Sequence, residues 1–262
     1  MPIGVFDSGV GGLTVMKEII SLLPEENVVY LGDTARVPYG IRSPEIVKRY
    51  SYESAQFLVS KSIKLLVVAC NTSSSVSLKL LKEKFSIPVV GVIEPGARAV
   101  AARTRLKRVA VIGTTATVRS GSYERAINAL DSSIDVSAIA CPLFVPLVEE
   151  GWLDGEVVNL IADKYLSKLK RFGIDTLVLG CTHYPLIKHV IADVTGVHLI
   201  DSAIETAKEV RDILSFNNML RNGGKRAVKE FFVTDSPEMF ADTGEKFLDH
   251  KISNISKVEL EG

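Results

Sequence analysis

Twice in this chain an apolar run of strand type stops at a cysteine that a small polar residue follows directly: Val67-Val68-Ala69-Cys70-Asn71-Thr72 and Val178-Leu179-Gly180-Cys181-Thr182-His183-Tyr184-Pro185. Each cysteine therefore belongs at the carboxyl end of a buried strand. A second echo lies upstream of each. Ile3-Gly4-Val5-Phe6-Asp7-Ser8-Gly9 and Val109-Ala110-Val111-Ile112-Gly113-Thr114-Thr115 are apolar strands that break into Gly, Ser and Thr before a helical pattern. Asp7 precedes Cys70 by 63 positions (70−7) and Thr114 precedes Cys181 by 67 (181−114), a spacing that suits two βα units and their linkers rather than a solenoid repeat. The chain reads as two related halves, each offering one thiol.

Between these landmarks, strands at 3–6, 28–31, 63–69 and 88–92 alternate with a helix at 13–23, one that starts at Pro44 and runs through Leu58, and one from Cys70 to about Phe85. Ser43-Pro44-Glu45 is a helix start with an N-cap oxygen, a preset φ and a first-turn carboxylate. Ile46, Tyr50, Phe57 and Leu58 are expected on that helix's apolar face. Strand, helix and strand again imply an α/β fold with a parallel sheet and right-handed crossovers. Glu94-Pro95-Gly96 reads as a loop, and the pattern restarts there with a helix to about 105, a strand at 108–112 and a loop at 113–120. A strand at 134–140 follows, and Pro142 and Pro146 keep the next stretch from continuing it. One helix carrying Val158, Ile161, Tyr165 and Leu169 ends at Gly173. Strands at 176–180 and 197–200, a helix at 203–214, a polar loop at 217–225, a strand at 231–234 and a helix at 239–248 complete the chain. The last pieces are expected to return to the first half.

Charge decides which partners are excluded. With 31 basic and 31 acidic side chains, neither a nucleic-acid footprint nor a membrane-surface patch is expected, and a small molecule is. No apolar run approaches the roughly 18 residues of a membrane span, and a strand begins at once without the regions of a signal peptide. A cytoplasmic protein with three thiols in reduced form is the expectation.

A cysteine between a strand end and a helix N-terminus meets backbone N–H groups and the positive end of the macrodipole. Both are expected to lower its pKa from about 8.5 toward neutrality. Packing alone explains a buried cysteine but gives no use for the polar sequel of Cys70 and Cys181; Cys141 lacks that sequel and reads as structural. Metal binding by Cys70, Cys181 and His183 is disfavoured because only Cys181 and His183 form a close local pair, and no metal is expected. The absence of C-x₂-C disfavours thioredoxin-like exchange. A single cysteine nucleophile served by His183 and a carboxylate stays open, yet it leaves the second thiol idle. Two thiols converging on one pocket from related halves suit a nearly symmetric reaction, such as inversion of a stereocentre. Glycines 9, 11 and 12 lack the Lys of a P-loop; they read as backbone that admits a substrate carboxylate, with Ser8 as a donor.

With those residues laid out, the whole chain resembles the glutamate racemases of the aspartate/glutamate racemase superfamily. The resemblance rests on Asp7-Ser8-Gly9-Val10-Gly11-Gly12-Leu13-Thr14, on Gly32-Asp33-Thr34-Ala35-Arg36 with Pro38-Tyr39-Gly40, and on Ala69-Cys70-Asn71-Thr72. Gly113-Thr114 with Thr117, Glu150-Gly151, and Cys181-Thr182-His183-Tyr184-Pro185 complete it. It implies two pseudo-symmetric, doubly wound parallel-sheet domains, 1–94 with 205–262 and 95–204, and an active site in the cleft between them. It implies Cys70 and Cys181 as the two acid/base residues, with Asp7, Glu149 and His183 assisting proton transfer. Glutamate would be held by Asp7, Ser8, Tyr39, Gly40, Asn71, Thr72, Thr115, Thr117, Thr182 and His183. By the same resemblance Cys181 serves L-glutamate and Cys70 D-glutamate, no cofactor is used, the product feeds peptidoglycan synthesis, and the protein is a homodimer. Relatives with an N-terminal extension respond to a cell-wall precursor, and that activation is not expected here. An arginine is the ordinary partner of a carboxylate, yet none stands at the matching positions. A racemase of aspartate or hydantoin, and an amino-acid-binding protein without chemistry, are the rival readings.

Overall fold

The computed structural model describes residues 1–223 and 226–260; the last two positions of the loop expected at 217–225 lie outside them. The chain opens with β1 (Ile3–Asp7), α1 (Leu13–Leu22), β2 (Val28–Gly32), α2 (Pro44–Ser60), β3 (Leu65–Val68), α3 (Asn71–Lys84), β4 (Val89–Gly91) and α4 (Ile93–Arg103). It continues with β5 (Arg108–Gly113), α5 (Thr115–Arg119), α6 (Ser122–Leu130), β6 (Asp135–Ala140), α7 (Phe144–Glu149), α8 (Glu156–Leu166) and α9 (Leu169–Phe172). The remainder is β7 (Thr176–Gly180), α10 (Lys188–Thr195), β8 (His198–Asp201), α11 (Ser202–Phe216), β9 (Lys229–Val233), α12 (Pro237–Leu248) and β10 (Ile255–Lys257).

The strands form two sheets, ordered β10-β9-β2-β1-β3-β4 and β6-β5-β7-β8, and every neighbouring pair is parallel. The run β2-β1-β3-β4 has the same order as β6-β5-β7-β8, second strand, first, third, fourth. The two related halves of the sequence are thus two copies of one sheet topology, and the first copy gains β9 and β10 from the end of the chain. β1 and β5 hold equivalent central places, as do β3 and β7.

Alternation along the strands sorts the core. Val5, Tyr30 and Val67 pack on one side with α1, α4, α11 and the second sheet, while Phe6, Leu31 and Val68 pack on the other with Leu58, Leu78 and Leu81. Each fully buried side chain of this kind contributes about 1.5–3 kcal/mol relative to exposure. α11 lies against both α1 and α4, so the joint between the sheets is built of helices.

Several expectations need correction. Of the face expected for α2, Leu58 is buried and Tyr50 and Phe57 pack partly buried against the core, but the buried residues also include Val47, Ser51, Glu53, Ser54 and Ala55, because small residues let α2 approach α3, where Ser77 Oγ donates to Ser51 Oγ at 3.0 Å. Glu94-Pro95-Gly96 is the first turn of α4 rather than a loop; a proline there gives up an N–H that has no helical partner anyway. The expected loop at 113–120 contains α5, capped by Thr114, whose side chain accepts from the Thr117 N–H at 3.2 Å. The helix expected to run to Gly173 is broken into α8 and α9, and Gly173 ends α9 with φ of 59°. Strand β10 has no counterpart among the expectations.

Candidate active site

The carboxyl ends of β1 and β3 from the first sheet and of β5 and β7 from the second converge on one cavity of about 290 Å³. Crevices outside strand carboxyl ends are where open parallel sheets bind ligands. Ser8, Gly9, Cys70, Asn71 and Thr72 line it from the first sheet, and Thr114, Thr115, Cys181, Thr182 and His183 from the second. Val37 to Ile41 close one side, and Pro142, Val145, Pro146 and Glu149 the other.

Cys70 is the N-cap of α3, and its Sγ accepts from the Ser73 N–H at 3.5 Å. Its Sγ also lies 3.7 Å from Ser8 Oγ, and Ser8 Oγ lies 3.4 Å from Asp7 Oδ2. Asp7 is fully buried at the end of β1; its Oδ2 accepts from the Gly9 N–H at 2.9 Å and its Oδ1 from Thr182 Oγ1 at 3.5 Å. Burial raises the pKa of Asp7, against the lowering effect of His183 and the backbone donors. Burial and the neighbouring Asp7 likewise push the Cys70 thiol up to about 11, despite the donors from Ser73 and Ser8. The lowering expected from a helix N-terminus is therefore overturned for Cys70, because desolvation of a thiolate outweighs one capping N–H.

Cys181 sits in a different setting. The turn after it leads into a 3₁₀ turn at Tyr184–Ile187 and only then into α10, so it lacks the helix N-terminus that was expected. Its Sγ lies 3.9 Å from His183 Nδ1, and His183 Nε2 lies 2.9 Å from Glu149 Oε1. Burial favours the neutral imidazole, but Cys181 and Glu149 prevail and raise the His183 pKa to about 10. The imidazolium so held donates to both neighbours and can pass a proton toward the thiol side.

Gly11 is the backbone against which this group rests. A Cβ there would lie 2.5 Å from His183 Cε1 and 2.6 Å from His183 Nδ1, and would collide with Thr182 Oγ1. A Cβ at Gly12 would lie 2.5 Å from Asp7 Cβ. Of the three glycines read as a path for a carboxylate, only Gly9 lines the cavity; Gly11 and Gly12 let protein pack on protein.

The remaining candidates divide. Thr72 Oγ1 lies 2.9 Å from Thr114 Oγ1 and 3.3 Å from Thr117 Oγ1, so the hydroxyls of the two halves meet across the cavity edge. Asn71 Oδ1 accepts from Tyr123 at 2.7 Å, while its Nδ2 is buried without a partner among the described residues, a donor free for a ligand acceptor. Tyr39 lines the cavity, but its hydroxyl is taken by Asp33. Gly40 touches Thr114, where a Cβ would lie 2.9 Å from Thr114 Cβ. Asp7 and Thr117 stand one layer behind the cavity surface. Thr114 and the apolar walls at Val37, Pro38, Ile41, Pro142, Val145 and Pro146 were absent from the candidates. A proline-rich stretch carries no chemistry-bearing pattern, and for Thr114 its place as the echo of Asp7 was the available signal. Among the described residues no three His, Cys, Asp or Glu side chains come together as a metal site.

Against known proteins, residues 3–210 match the family model described as Asp/Glu/Hydantoin racemase. The chain is 56% identical over 261 residues to the glutamate racemase of Geobacter metallireducens, covering 99% of this chain and 97% of that one. It is 45% identical to the glutamate racemase of Syntrophus aciditrophicus over the same shares. Its structure is similar to that of the Francisella tularensis glutamate racemase in complex with D-glutamate, with a TM-score of 0.95 and 39% identity over 99% and 98% of the two chains.

Proposed function

The chain belongs to the Asp/Glu/hydantoin racemase family, and from that premise we propose that it interconverts L- and D-glutamate by passing the Cα proton between Cys70 and Cys181. The observation that carries this reading is the placement of the two thiols. They end equivalent strands, β3 and β7, of two like sheets and open onto one cavity. One thiolate removes the proton from one face of Cα and the opposite thiol protonates the other face. Asp7 assists Cys70, and His183 with Glu149 assists Cys181. Cys181 is assigned to L-glutamate and Cys70 to D-glutamate.

The rest of the cavity supports a dicarboxylic amino acid. Asn71 Nδ2, the hydroxyls of Ser8, Thr72, Thr115 and Thr182, and the backbone N–H of Gly40 offer neutral donors for two carboxylates. Thr117 holds Thr72 in place, and Tyr39 contributes its ring and backbone. The substrate's α-ammonium supplies the missing positive charge. Its arrival beside Cys70 opposes the burial that holds the thiol protonated, so the thiolate forms when substrate is present.

No cofactor is needed in this scheme. The moving units are 1–94 with 205–262 and 95–204, a division supported by sheet membership, with the chain crossing at Val92–Ile93 and at Asp201–Ser202. In the cell the reading makes the protein a cytoplasmic homodimer that supplies D-glutamate for peptidoglycan.

Chiral chromatography of purified protein with L-glutamate and no added cofactor is the test, with L-aspartate run in parallel. In heavy water, early D-glutamate should carry deuterium at Cα while the remaining L-glutamate keeps its proton. Cys70→Ala and Cys181→Ala should each lose racemisation by at least about 10²- to 10⁴-fold, the usual worth of a positioned acid or base. Substantial racemisation by either variant, or retention of the original proton in the product, would mean one base serving both faces.

A further inference from the structure

A second cavity, of about 390 Å³, lies against the outside of the first. The two share Gly40, Ile41, Thr72 and Thr115 as a common wall. Two guanidiniums line the outer cavity, Arg42 just past the turn at Tyr39–Ile41 and Arg119 at the end of α5. One therefore comes from the half that carries Cys70 and the other from the half that carries Cys181. Both are exposed, and among the described residues neither side chain has a hydrogen-bond or ion-pair partner. Glu45, the carboxylate nearest in sequence, is engaged at the start of α2 with its own N–H and with Ser43.

The other exposed edge of the inner cavity is unsuited to an anion. Val37, Pro38, Pro142 and Pro146 are apolar, and the charged group there is Glu149. A glutamate molecule carries two carboxylates and one ammonium, so its approach is favoured from the arginine side. The wall is thin where it would have to part, since Gly40 meets Thr114 and the Thr72 and Thr114 hydroxyls join across the halves. Two unpaired like charges on opposite halves favour that parting. A carboxylate between them removes the repulsion and draws the halves together.

We propose that the outer cavity is an antechamber in which Arg42 and Arg119 together bind a carboxylate of the incoming amino acid. The proposal rests on the glutamate reading above. It also gives work to arginines that lie just outside the site where neutral donors hold the substrate.

Steady-state kinetics of Arg42→Gln, Arg119→Gln and the double variant test it. At low ionic strength the double variant should show a KM for glutamate raised about three- to tenfold, the size of two exposed charge interactions, with kcat within about twofold. At roughly 1 M salt, where the Debye length falls to about 3 Å, the difference from the wild type should vanish. The paired Arg→Lys variant should keep most of the low-salt affinity. An unchanged KM at low salt, or an increase that persists at high salt, overturns the antechamber while leaving the racemase reading intact. A wild-type protein that does not racemise glutamate overturns that reading and the antechamber with it.

Discussion

His183 is held charged by its surroundings. Its folded pKa is raised from 6.5 to about 10, so the stability it contributes is fully present below about 6.5 and is lost as pH rises toward 10. Cys70, raised from 9.0 to about 11, loses its contribution in the same direction but only above 9. Between 6.5 and 9 the contribution of His183 therefore declines while that of Cys70 is still intact. Urea unfolding across it should give a stability that declines with pH in the wild type and declines less in Glu149→Gln. An identical slope in both proteins would show that the Glu149 contact does not hold the proton.

Gly11 makes a second residue-level prediction. Gly11→Ala should push His183 and Thr182 aside and lower kcat by about 10²-fold, the effect of an ångström's misplacement at a reacting group. The loss of stability should be the ordinary 1–3 kcal/mol or so of an overpacked site. Both cysteines were legible in the sequence because strand end, thiol and polar sequel are all local features. The acidity of Cys70 was not, since it depends on burial and on Asp7, which lies 63 positions away (70−7). The pairing of His183 with Glu149 likewise joins residues 34 apart; family resemblance named both residues but not their contact.

At the scale of elements, α3 and α5 meet through three threonines. Thr114 caps α5 and joins Thr72 at the start of α3, while Thr117 bonds to both. Thr114→Val keeps the shape and removes the bonds that Thr114 Oγ1 makes to Thr72 and Thr117, each of which contributes about 0.5–1.5 kcal/mol net. It should raise KM by about three- to tenfold and leave secondary structure unchanged by circular dichroism; an unaltered KM would mean the seam does not shape the cavity. α5 escaped the sequence reading because five residues are too few for a helical period to register. The strands were read closely because continuous apolar runs bounded by turn formers have few other uses. Part of the buried face of α2 was missed because Ser51, Ser54 and Ala55 are small and carry little hydrophobic signal.

At the scale of the whole molecule, the inner cavity joins residues from both sheets, so a bound substrate should shield both thiols together. Alkylation with iodoacetamide, followed residue by residue by mass spectrometry, should slow at Cys70 and Cys181 alike under saturating glutamate. Cys141, buried beneath Tyr184 and Phe144, should stay unlabelled throughout. Slowing at one thiol alone would count against a shared cleft.

The order of strands also bears on how the protein is made. Strands β5 to β8 occupy one uninterrupted stretch, residues 108–201, so their sheet can assemble as soon as that stretch has left the ribosome. The other sheet begins with β1, made before them, yet it waits for β9 and β10 at 229–257 before its edge beside β2 is covered. Throughout synthesis of the intervening residues β2 presents open N–H and C=O groups, the kind of edge on which chains pair wrongly with one another. Truncation before residue 229 should therefore yield a protein whose failure is aggregation, even though both cysteines and the whole lining of the cavity are present in it.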